Sequence, residues 1–177
     1  NNNFSNIKAD NNLSIIANNG TISNKSQLIA NNDIALIASD DIINTATIAT
    51  NDQTLLDNQL NNNQNQQSQT YINNDHSPTT DGNNGNNNNI FSAIIETATI
   101  QSAGNFTAIA GNDFNNIGSD ITTINDGDIN ISTIGANGNI NIDTAQVRNK
   151  HHHSWGNEDE GGTITQETIN HTQSNIT

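Results

Sequence analysis

The feature that most constrains this chain is a short unit that recurs along it, in which a turn rich in Gly, Asn or Asp precedes apolar residues at alternate positions. Every copy of such a unit must adopt an equivalent structure, so repetition restricts the fold more than any single motif. Residues 9–22 (ADNNLSIIANNGTI) align with residues 30–43 (ANNDIALIASDDII) at an offset of 21 residues, and a weaker third copy (ATNDQTLL) begins at residue 49. The first alignment places apolar residues on apolar residues: Leu13, Ile15 and Ala17 on Ile34, Leu36 and Ala38.

The later part of the chain repeats the same unit. GNFTAIA begins at Gly104, GDINIST at Gly127 and GNINIDT at Gly138. The first step is 23 residues and the second is 11, about half of the first. We therefore expect each full period in this part to contain two strand–turn units.

The spacing of apolar residues within each unit predicts β-strands. Alternation with period two, as at Ile129 and Ile131, is typical of a half-buried strand. β-Branched Ile and Thr suit a pleated surface, whereas Asn, Asp and Gly favour turns. No stretch has helical spacing of apolar residues with a cap at each end. Short strands that recur about every 20 residues predict an all-β fold, a right-handed parallel β-helix (solenoid) whose coils contribute two or three strands each.

The composition is compatible with a narrow interior. Only 31% of the chain is hydrophobic and 3% is aromatic, so a globular core of large side chains is not expected. Slim aliphatic side chains can fill the bore of a β-helix, and Asn residues at equivalent turn positions can stack into amide ladders. The composition alone leaves open an Asn-rich, aggregation-prone segment without a unique fold. The regular spacing of Ile favours the β-helix over that alternative.

Two segments interrupt the repeats. Residues 61–89 contain the single Pro and few apolar residues, which predicts a long Asn/Gln-rich insertion loop that is partly or wholly disordered, or alternatively a linker that separates two stacks of coils. In the tail, VRNKHHHSW and TITQETINH flank the acidic turn GNEDEGG, which predicts a polar, His-bearing β-hairpin that extends from or caps the last coil. The predicted organisation is coils in 1–60, the insertion loop in 61–89, coils in 90–145 and the hairpin extension in 146–177.

Charge and cysteine content narrow the classes of partner. The formal net charge is −14 with four Lys and Arg residues, which disfavours binding to nucleic acid or to anionic lipid surfaces. The chain contains no Cys, so it has neither disulfides nor a thiol nucleophile. No apolar run approaches the ~20 residues of a transmembrane helix, and no membrane insertion is expected. The chain begins at Asn1 without a basic n-region or an apolar h-region, so we expect a mature or internal piece of a larger protein.

A family resemblance rests on the run AGNDFNNIGSDIT, GDINIST and GNINIDTAQ, followed by the His-bearing tail. This run resembles the hemagglutinin repeats of filamentous-hemagglutinin-like exoproteins, the adhesins and contact-dependent inhibition proteins that Gram-negative bacteria export by two-partner secretion. The resemblance extends over residues 95–177 and, more weakly, over residues 7–60. The chain differs from the family in its 61–89 insertion and in having no recognisable secretion-signal or toxin domain.

The resemblance implies a secreted, cell-surface β-helical filament segment that acts in adhesion and virulence. On this interpretation the chain is structural and adhesive, with no enzymatic activity and no cofactor. Its implied partners are an outer-membrane two-partner-secretion transporter during export and a receptor on a host or neighbouring cell. One alternative is the stalk of a contact-dependent growth inhibition protein that delivers a toxin. A carbohydrate-active β-helix enzyme is a less favoured alternative, because such sites need converging acidic or basic side chains.

The His-rich tail contains the candidate metal ligands. On a strand, His151 and His153 would share one face about 6–7 Å apart. Together with His171 from the partner strand, or with Glu158 and Asp159 from the turn, they could form a zinc or nickel site. A solvent-exposed polar hairpin explains the same residues more simply, so we predict no functional metal site.

Other candidate sites have weaker support. The runs around Asp120, Asp126 and Asp128 lack the double glycines and the nine-residue step of calcium-binding repeats, so these carboxylates are interpreted as solvated turn residues. We expect the turn that contains Glu158, Asp159 and Glu160 to be too mobile to hold acid–base geometry, and no catalytic residue is predicted. Trp155 and Tyr71 could contact carbohydrate, but a lone aromatic residue more often packs or anchors a turn.

A final expectation concerns the ends of the fold. A β-helix that is cut leaves unpaired strand edges at both ends. We therefore expect the fragment to self-associate end to end in spite of its net charge.

Overall fold

The computed structural model describes residues 5–50, 68–71, 92–156 and 161–177. Every helix or strand assigned within these ranges is a β-strand, which confirms the predicted all-β class. Among the same residues, no helix has the length and apolar character needed to cross a membrane.

Eighteen strands follow one another along the described residues, most of them three to five residues long. Their bounds are β1 Ile7–Ala9, β2 Leu13–Ala17, β3 Ile22–Asn24, β4 Gln27–Ala30, β5 Ile34–Ala38, β6 Ile42–Thr45, β7 Thr47–Thr50, β8 Ser68–Tyr71, β9 Ser92–Glu96, β10 Thr99–Ser102, β11 Phe106–Ala110, β12 Phe114–Ile117, β13 Asp120–Thr123, β14 Ile129–Thr133, β15 Ile140–Asp143, β16 Ala145–Gly156, β17 Gly161–Thr172 and β18 Asn175–Ile176.

Most of these strands belong to three parallel sheets, which the chain visits in rotation. Sheet A has the order β1-β4-β10-β13-β18, sheet B the order β2-β5-β11-β14, and sheet C the order β3-β6-β12-β15. We call three consecutive strands, one in each sheet, a tier. Tier 1 is β1–β3, tier 2 is β4–β6, tier 3 is β10–β12 and tier 4 is β13–β15. The strand β18 adds a fifth strand to sheet A alone.

The observed registers confirm the repeat spacing. Leu13 of β2 pairs with Ile34 of β5, which is the predicted offset of 21 residues. Phe106 of β11 pairs with Ile129 of β14, which is the predicted offset of 23. The 11-residue step from Gly127 to Gly138 is the sequence offset between β14 in sheet B and β15 in sheet C. Each period contains a third strand, in sheet A, in addition to the two expected strand–turn units.

One hydrophobic core unites the three sheets. Side chains in β5 alternate between buried and more exposed, as period two requires, and the buried ones point toward residues of sheets A and C. The largest buried side chains are Phe106 and Phe114, which are both fully buried. The remaining members are aliphatic residues: Ile22, Leu28, Ala30, Ile34, Leu36, Ala38, Ile42, Ile100, Ala108, Ala110 and Ile121.

Asn and Asp side chains fix the turns that precede the strands of sheets B and C. Before sheet B, Asp33 Oδ1 accepts the backbone N–H of Asn105 at 2.8 Å, and Asn105 Oδ1 accepts that of Asp128 at 2.9 Å. Before sheet C, Asp113 Oδ1 accepts the backbone N–H of Asn139 at 2.8 Å. Because each such bond joins one tier to the next, the abundance of Asn and Asp at these positions has a structural cause.

A second ladder lies inside sheet C, where Asn24, Asn44 and Asn116 occupy equivalent positions of three tiers. Asn24 Nδ2 donates to Asn44 Oδ1, and Asn44 Nδ2 donates to Asn116 Oδ1, both at 2.7 Å. The ladder ends without orphaned amides, because Ser26 N–H donates to Asn24 Oδ1 and Asn116 Nδ2 donates to the carbonyl of Ser119. Stacked side-chain amides, which the sequence predicts at turns, thus form a ladder within the strands of sheet C, and one amide-to-amide bond, from Asn32 Nδ2 to Asn12 Oδ1, joins two turns before sheet B.

Candidate functional site

The two long interruptions of the repeat leave the tiers at the same corner, between sheet C and sheet A. Residues 46–98 connect β6 to β10, and residues 144–174 connect β15 to β18. We call these segments excursion 1 and excursion 2. In spite of excursion 1, tiers 2 and 3 are direct neighbours, since Leu28 pairs with Ile100 in parallel. In the same way, Ile121 pairs with Ile176 across excursion 2.

The described part of excursion 1 forms a small mixed sheet around β7. The strand β7 pairs in parallel with β8, where Thr47 is opposite Ser68, and antiparallel with β9, where Thr50 is opposite Ser92. The register of β7 and β9 shifts between Thr47 and Ile48, as at a β-bulge. Within the predicted insertion loop of residues 61–89, Ser68–Tyr71 thus forms β8. The rest of that prediction lies outside the described residues.

Excursion 2 is a long antiparallel hairpin. The strands β16 and β17 pair in continuous register from Ala145–Thr172 to Gly156–Gly161. This confirms the hairpin predicted from the tail, whose acidic turn (residues 157–160) lies outside the described residues. The tail does not end there, because β18 returns to sheet A and pairs with β13.

A second hydrophobic cluster packs the bases of the two excursions against each other and against tier 3. Its buried members are Ala46 and Ile48 of excursion 1, Ile117 of tier 3, and Ala145 and Val147 of excursion 2. Ile94 of β9 packs against them and is partly buried. This second cluster therefore buries the bases of both excursions together.

Gly118, which follows β12 of tier 3, lies in close contact with Ala145 at the base of excursion 2. It has a positive φ of 55°, a conformation that glycine adopts without steric cost. A Cβ at this position would overlap the Cβ of Ala145 and would lie 2.9 Å from its backbone nitrogen. Gly118 N–H also donates to the carbonyl of Asp143 at 3.0 Å, just before the hairpin begins. Glycine is required here both for the turn and for the approach of β16.

Side-chain hydroxyls hold the two excursions at the corner. Ser174 Oγ lies 3.0 Å from the carbonyl oxygen of Asn116 and 2.5 Å from that of Asp143. It thereby fixes the return of the chain from the hairpin to sheet A. At the equivalent corner of tier 2, Ser26 Oγ donates toward Glu96 Oε1 at 2.8 Å, at the end of β9.

The hydroxyl of Thr47 is the exception. Thr47 is 2% exposed, and its Oγ1 has no hydrogen-bond partner among the described residues. It lies beside the register shift of β7, where the ladder of backbone hydrogen bonds is interrupted.

An ion pair joins the two strands of the hairpin. Arg148 Nε donates to Glu167 Oε1 at 2.5 Å, with both side chains more than a third exposed. The hydrogen bond from Arg148 lowers the pKa of Glu167, and the nearby charges of Arg148 and Lys150 act in the same direction. The Glu167 carboxylate is therefore kept ionised on an exposed strand.

The hairpin register separates the candidate metal ligands. His171 pairs with Gln146, five residues before His151, which corresponds to about 17 Å along the strand. Its nearest described partner is the Thr144 hydroxyl, 3.4 Å from His171 Nδ1. The register therefore places His171 far along the hairpin from His151 and His153. Glu158 and Asp159 lie outside the described residues, and so do the side chains of His151, His153, Trp155 and Tyr71. Where side chains are described, no group of three or more His, Asp or Glu residues could hold a metal ion.

The candidate calcium residues lie in or near turns of tier 4. Asp120 Oδ1 accepts a hydrogen bond from Asn175 Nδ2 at 2.9 Å, which ties it to β18. Asp126 is exposed in a turn with a positive φ of 59°. Asp128 is also exposed, and its backbone N–H donates to Asn105 as part of the ladder before sheet B. Asp126 and Asp128 are thus exposed residues outside the strands, as interpreted from the sequence, whereas Asp120 is not a solvated turn residue but the first residue of β13.

The sequence interpretation missed Gly118 and the corner serines. The sequence did contain a signal for these serines: at several entries into sheet A, a Ser stands two positions before an Ile or Leu. The copies are Ser26-Gln27-Leu28, Ser119-Asp120-Ile121 and Ser174-Asn175-Ile176.

At this corner, a buried hydrophobic cluster supports a hairpin whose described β17 side chains are mostly exposed. This arrangement is suited to contact with the surface of another molecule. Comparison of the chain with protein-family models, with curated proteins and with solved structures gave no match.

Proposed function

We propose that the protein is a structural and adhesive segment of a large secreted surface protein of the filamentous hemagglutinin type. In this proposal the tiers are coils of a right-handed parallel β-helix, and the two excursions contact a receptor on a host or neighbouring cell. Support for the fold comes from three parallel sheets that the chain visits in rotation around one core. Support for the hand comes from the strong right-handed preference of parallel crossover connections.

The observation that carries the functional proposal is the common corner of the two excursions. Long insertions that are merely tolerated can leave a repeat protein at any turn. Here the bases of both excursions are buried together in one cluster, which orients them side by side. Insertions that project from one face of a repeat protein often form its binding surface.

The proposed mechanism is geometric and requires neither a cofactor nor catalysis. Stacked tiers supply a stiff support, because each strand is hydrogen-bonded to its neighbours in adjacent tiers. The formal net charge of −14 favours solubility of the support over non-specific contact. Export through an outer-membrane two-partner-secretion transporter to the surface of a Gram-negative cell completes the proposal.

The test compares cell binding by the protein and by a variant with a shortened hairpin. Deleting residues 150–167 and joining the cross-strand pair Asn149–Thr168 through an Asn-Gly turn preserves the base of the hairpin. The control is Ile16→Thr on the outer face of sheet B, where Ile16 is 59% exposed and remote from the corner. Each protein is coupled to fluorescent beads, and bound beads are counted on cultured epithelial cells.

We expect the protein and the Ile16→Thr control to bind equally and the shortened variant to bind much less. Equal binding by all three proteins would remove the hairpin from the proposal. No binding by any of them would contradict the adhesive role, and the toxin-delivery stalk would then be the better interpretation.

A further inference from the structure

The outer face of sheet B carries a row of isoleucines at positions where a half-buried strand would carry polar residues. Ile16 of β2 pairs with Ile37 of β5, and Ile37 pairs with Ile109 of β11, so the three residues lie side by side across three tiers. Each stands between two inward-facing positions of its strand and therefore points away from the core. Ile16 is 59% exposed, Ile37 is 38% exposed and Ile109 is partly buried.

The row continues into tier 4 with a diagonal step. Ser132 of β14 pairs with Ile109, and Ile134, two residues further along the same face, is 73% exposed. Ile134 N–H donates to the carbonyl of Ala110 at 2.9 Å, so this residue keeps the spacing of sheet B. Side chains at diagonal positions of neighbouring strands are within reach of each other. We call Ile16, Ile37, Ile109 and Ile134 the outer row.

The other two sheets have no comparable row among the described residues. In sheet C, Ile43 and Asn115 share an outward position, and both are already buried. In sheet A, Ile29 is the one apolar residue at an outward position whose paired residues are Lys8, Gln101 and Thr122. Outward-facing, exposed aliphatic residues in register thus distinguish sheet B.

The turns on both sides of sheet B contain carboxylates and no basic residue. These carboxylates are Asp10, Asp33, Asp126 and Asp128 before the sheet B strands, and Asp40, Asp41 and Asp113 after them. None of them forms an ion pair with another described residue. The basic residues of the chain lie elsewhere: Lys8 in sheet A, Lys25 between sheets C and A, and Arg148 and Lys150 in excursion 2. The outer row is therefore bordered by two negative margins.

These charges decide which occupant fits the outer row. A second copy would place the same negative margins against each other, and each copy has a formal net charge of −14, so two such faces repel. An anionic lipid surface is repelled for the same reason. A protein segment with Lys or Arg on both sides of an apolar stripe is attracted to the margins and can cover the isoleucines.

The spacing of the outer row favours a helical segment. Neighbouring strands are about 4.8 Å apart, close to the helical pitch of about 5.4 Å, so one apolar side chain from each helical turn can lie on each tier. A strand of five residues is about 16 Å long, which leaves room between the margins for a helix about 10–12 Å in diameter. Basic side chains on the flanks of the helix would then lie next to the exposed carboxylates.

We propose that the outer face of sheet B is a docking surface for a basic amphipathic helix of a partner protein, with the helix axis running along the outer row and across the strands. The isoleucines cover the apolar stripe of the helix, and the margins attract its Lys and Arg residues. Sheet B does not border the corner from which the excursions leave, so this inference is independent of their adhesive role.

The experiment measures the affinity of the protein for a synthetic peptide by fluorescence anisotropy. The peptide contains about 15 Leu and Lys residues, with Leu at positions i, i+3, i+4 and i+7, and a scrambled peptide of the same composition is the control. The protein should bind the amphipathic peptide about tenfold more tightly than the scrambled one, because only the first presents a continuous apolar stripe. Added salt should weaken binding, because the charges on both partners are exposed.

Variants test the row and the margins separately. Ile16→Thr with Ile37→Thr should weaken binding about tenfold, whereas Ile29→Thr, on the outer face of sheet A, should bind as the unmodified chain does. Thr suits a strand, so these variants should fold. Asp128→Lys should weaken binding about fivefold, and Asp143→Lys, which makes the same charge change at an exposed position between sheets C and A, should have little effect.

Four results would overturn the proposal. The first is equal affinity for the amphipathic and the scrambled peptide. The second is an equal loss of affinity in the sheet B variants and in their controls, since net charge alone would then explain binding. The third is self-association in sedimentation velocity that Ile16→Thr with Ile37→Thr abolishes, because a second copy would then be the occupant. The fourth is binding to phosphatidylserine vesicles that the same double variant abolishes, because a lipid surface would then be the occupant.

Discussion

The buried amide ladder makes the strongest stability prediction, through the substitution Asn44→Ala. Asn44 is fully buried at the middle of the ladder, where it accepts from Asn24 and donates to Asn116. After the substitution, Asn24 Nδ2 keeps the carbonyl of Ser26 at 3.1 Å as a partner. Asn116 Oδ1 loses its donor and is left buried, which is the costly part of the change.

The magnitude follows from these contacts. Two side-chain hydrogen bonds contribute about 1 kcal/mol each, and the orphaned acceptor and the small cavity add to the loss. We expect Asn44→Ala to lower the free energy of unfolding by about 3 kcal/mol, which corresponds to a fall of about 6–12 °C in Tm for a chain of this size. The control Asn141→Ala removes one bond instead of two, to the buried Asn115, and should cost about half as much, about 1.5 kcal/mol.

Urea unfolding followed by circular dichroism measures both changes as shifts in the transition midpoint. The double variant Asn44→Ala with Asn116→Ala adds a sharper criterion, because removing Asn116 also removes the orphaned acceptor. The double variant should therefore cost less than the sum of the single variants, by about 1 kcal/mol. The argument is refuted if Asn44→Ala costs no more than Asn141→Ala, or if the two ladder substitutions are additive.

Three further predictions concern the corner, the core and the hairpin. Gly118→Ala should cost about 2 kcal/mol in thermal melts, and adding Ala145→Gly should recover only part of that loss, because the positive φ and the close backbone nitrogen of residue 145 remain. Phe106→Ala should cost about 3–5 kcal/mol, since Phe106 is fully buried; a loss below about 1 kcal/mol would contradict its central position in the core. Arg148→Met should raise the pKa of Glu167 toward its ordinary value in an NMR titration, because the arginine hydrogen bond is what lowers it. In the unmodified chain, the pair stabilises the hairpin at any pH above the unfolded pKa of Glu167. This stabilisation is lost as the pH falls through the lower, folded pKa, and it is small because both side chains are exposed to solvent.

Much of the strand pairing could be predicted from the sequence because one repeated unit carried two signals. Period-two alternation located the strands, and the offset between Leu13 and Ile34 equals their observed register. The hairpin was predictable for a related reason, since polar strand-forming segments flank a glycine-bounded acidic turn. Both predictions depend on local patterns that recur or face each other within a short stretch of chain.

The sheet A strands and the common corner were not predictable in the same way. The sheet A strands β4 and β10 are entered through Ser26 and Ala98 without a glycine turn, and the turn at Gly118 before β13 was not recognised as part of the repeat, so one strand in each period escaped the pattern. The pairing of Leu28 with Ile100 bridges excursion 1, and no repeat period specifies how long an interruption can be. The packing of Ala145 over Gly118 depends on the register of tiers 3 and 4, which becomes visible only once the strands are paired.

The most direct test of the account is whether tiers 2 and 3 are neighbours across excursion 1. The chain contains no Cys, so the pair Ile37→Cys with Ile109→Cys introduces the only thiols, at facing positions of β5 and β11. Adjacent strands place these Cα atoms about 4.8 Å apart, within the range of a disulfide, whereas Ile16→Cys with Ile109→Cys spans two tiers and about 10 Å. Mild oxidation should form a disulfide between residues 37 and 109 within the monomer and should leave the second pair as free thiols. Mass spectrometry measures both outcomes. Free thiols in the first pair, or equal closure of both pairs, would contradict the stacking of the tiers.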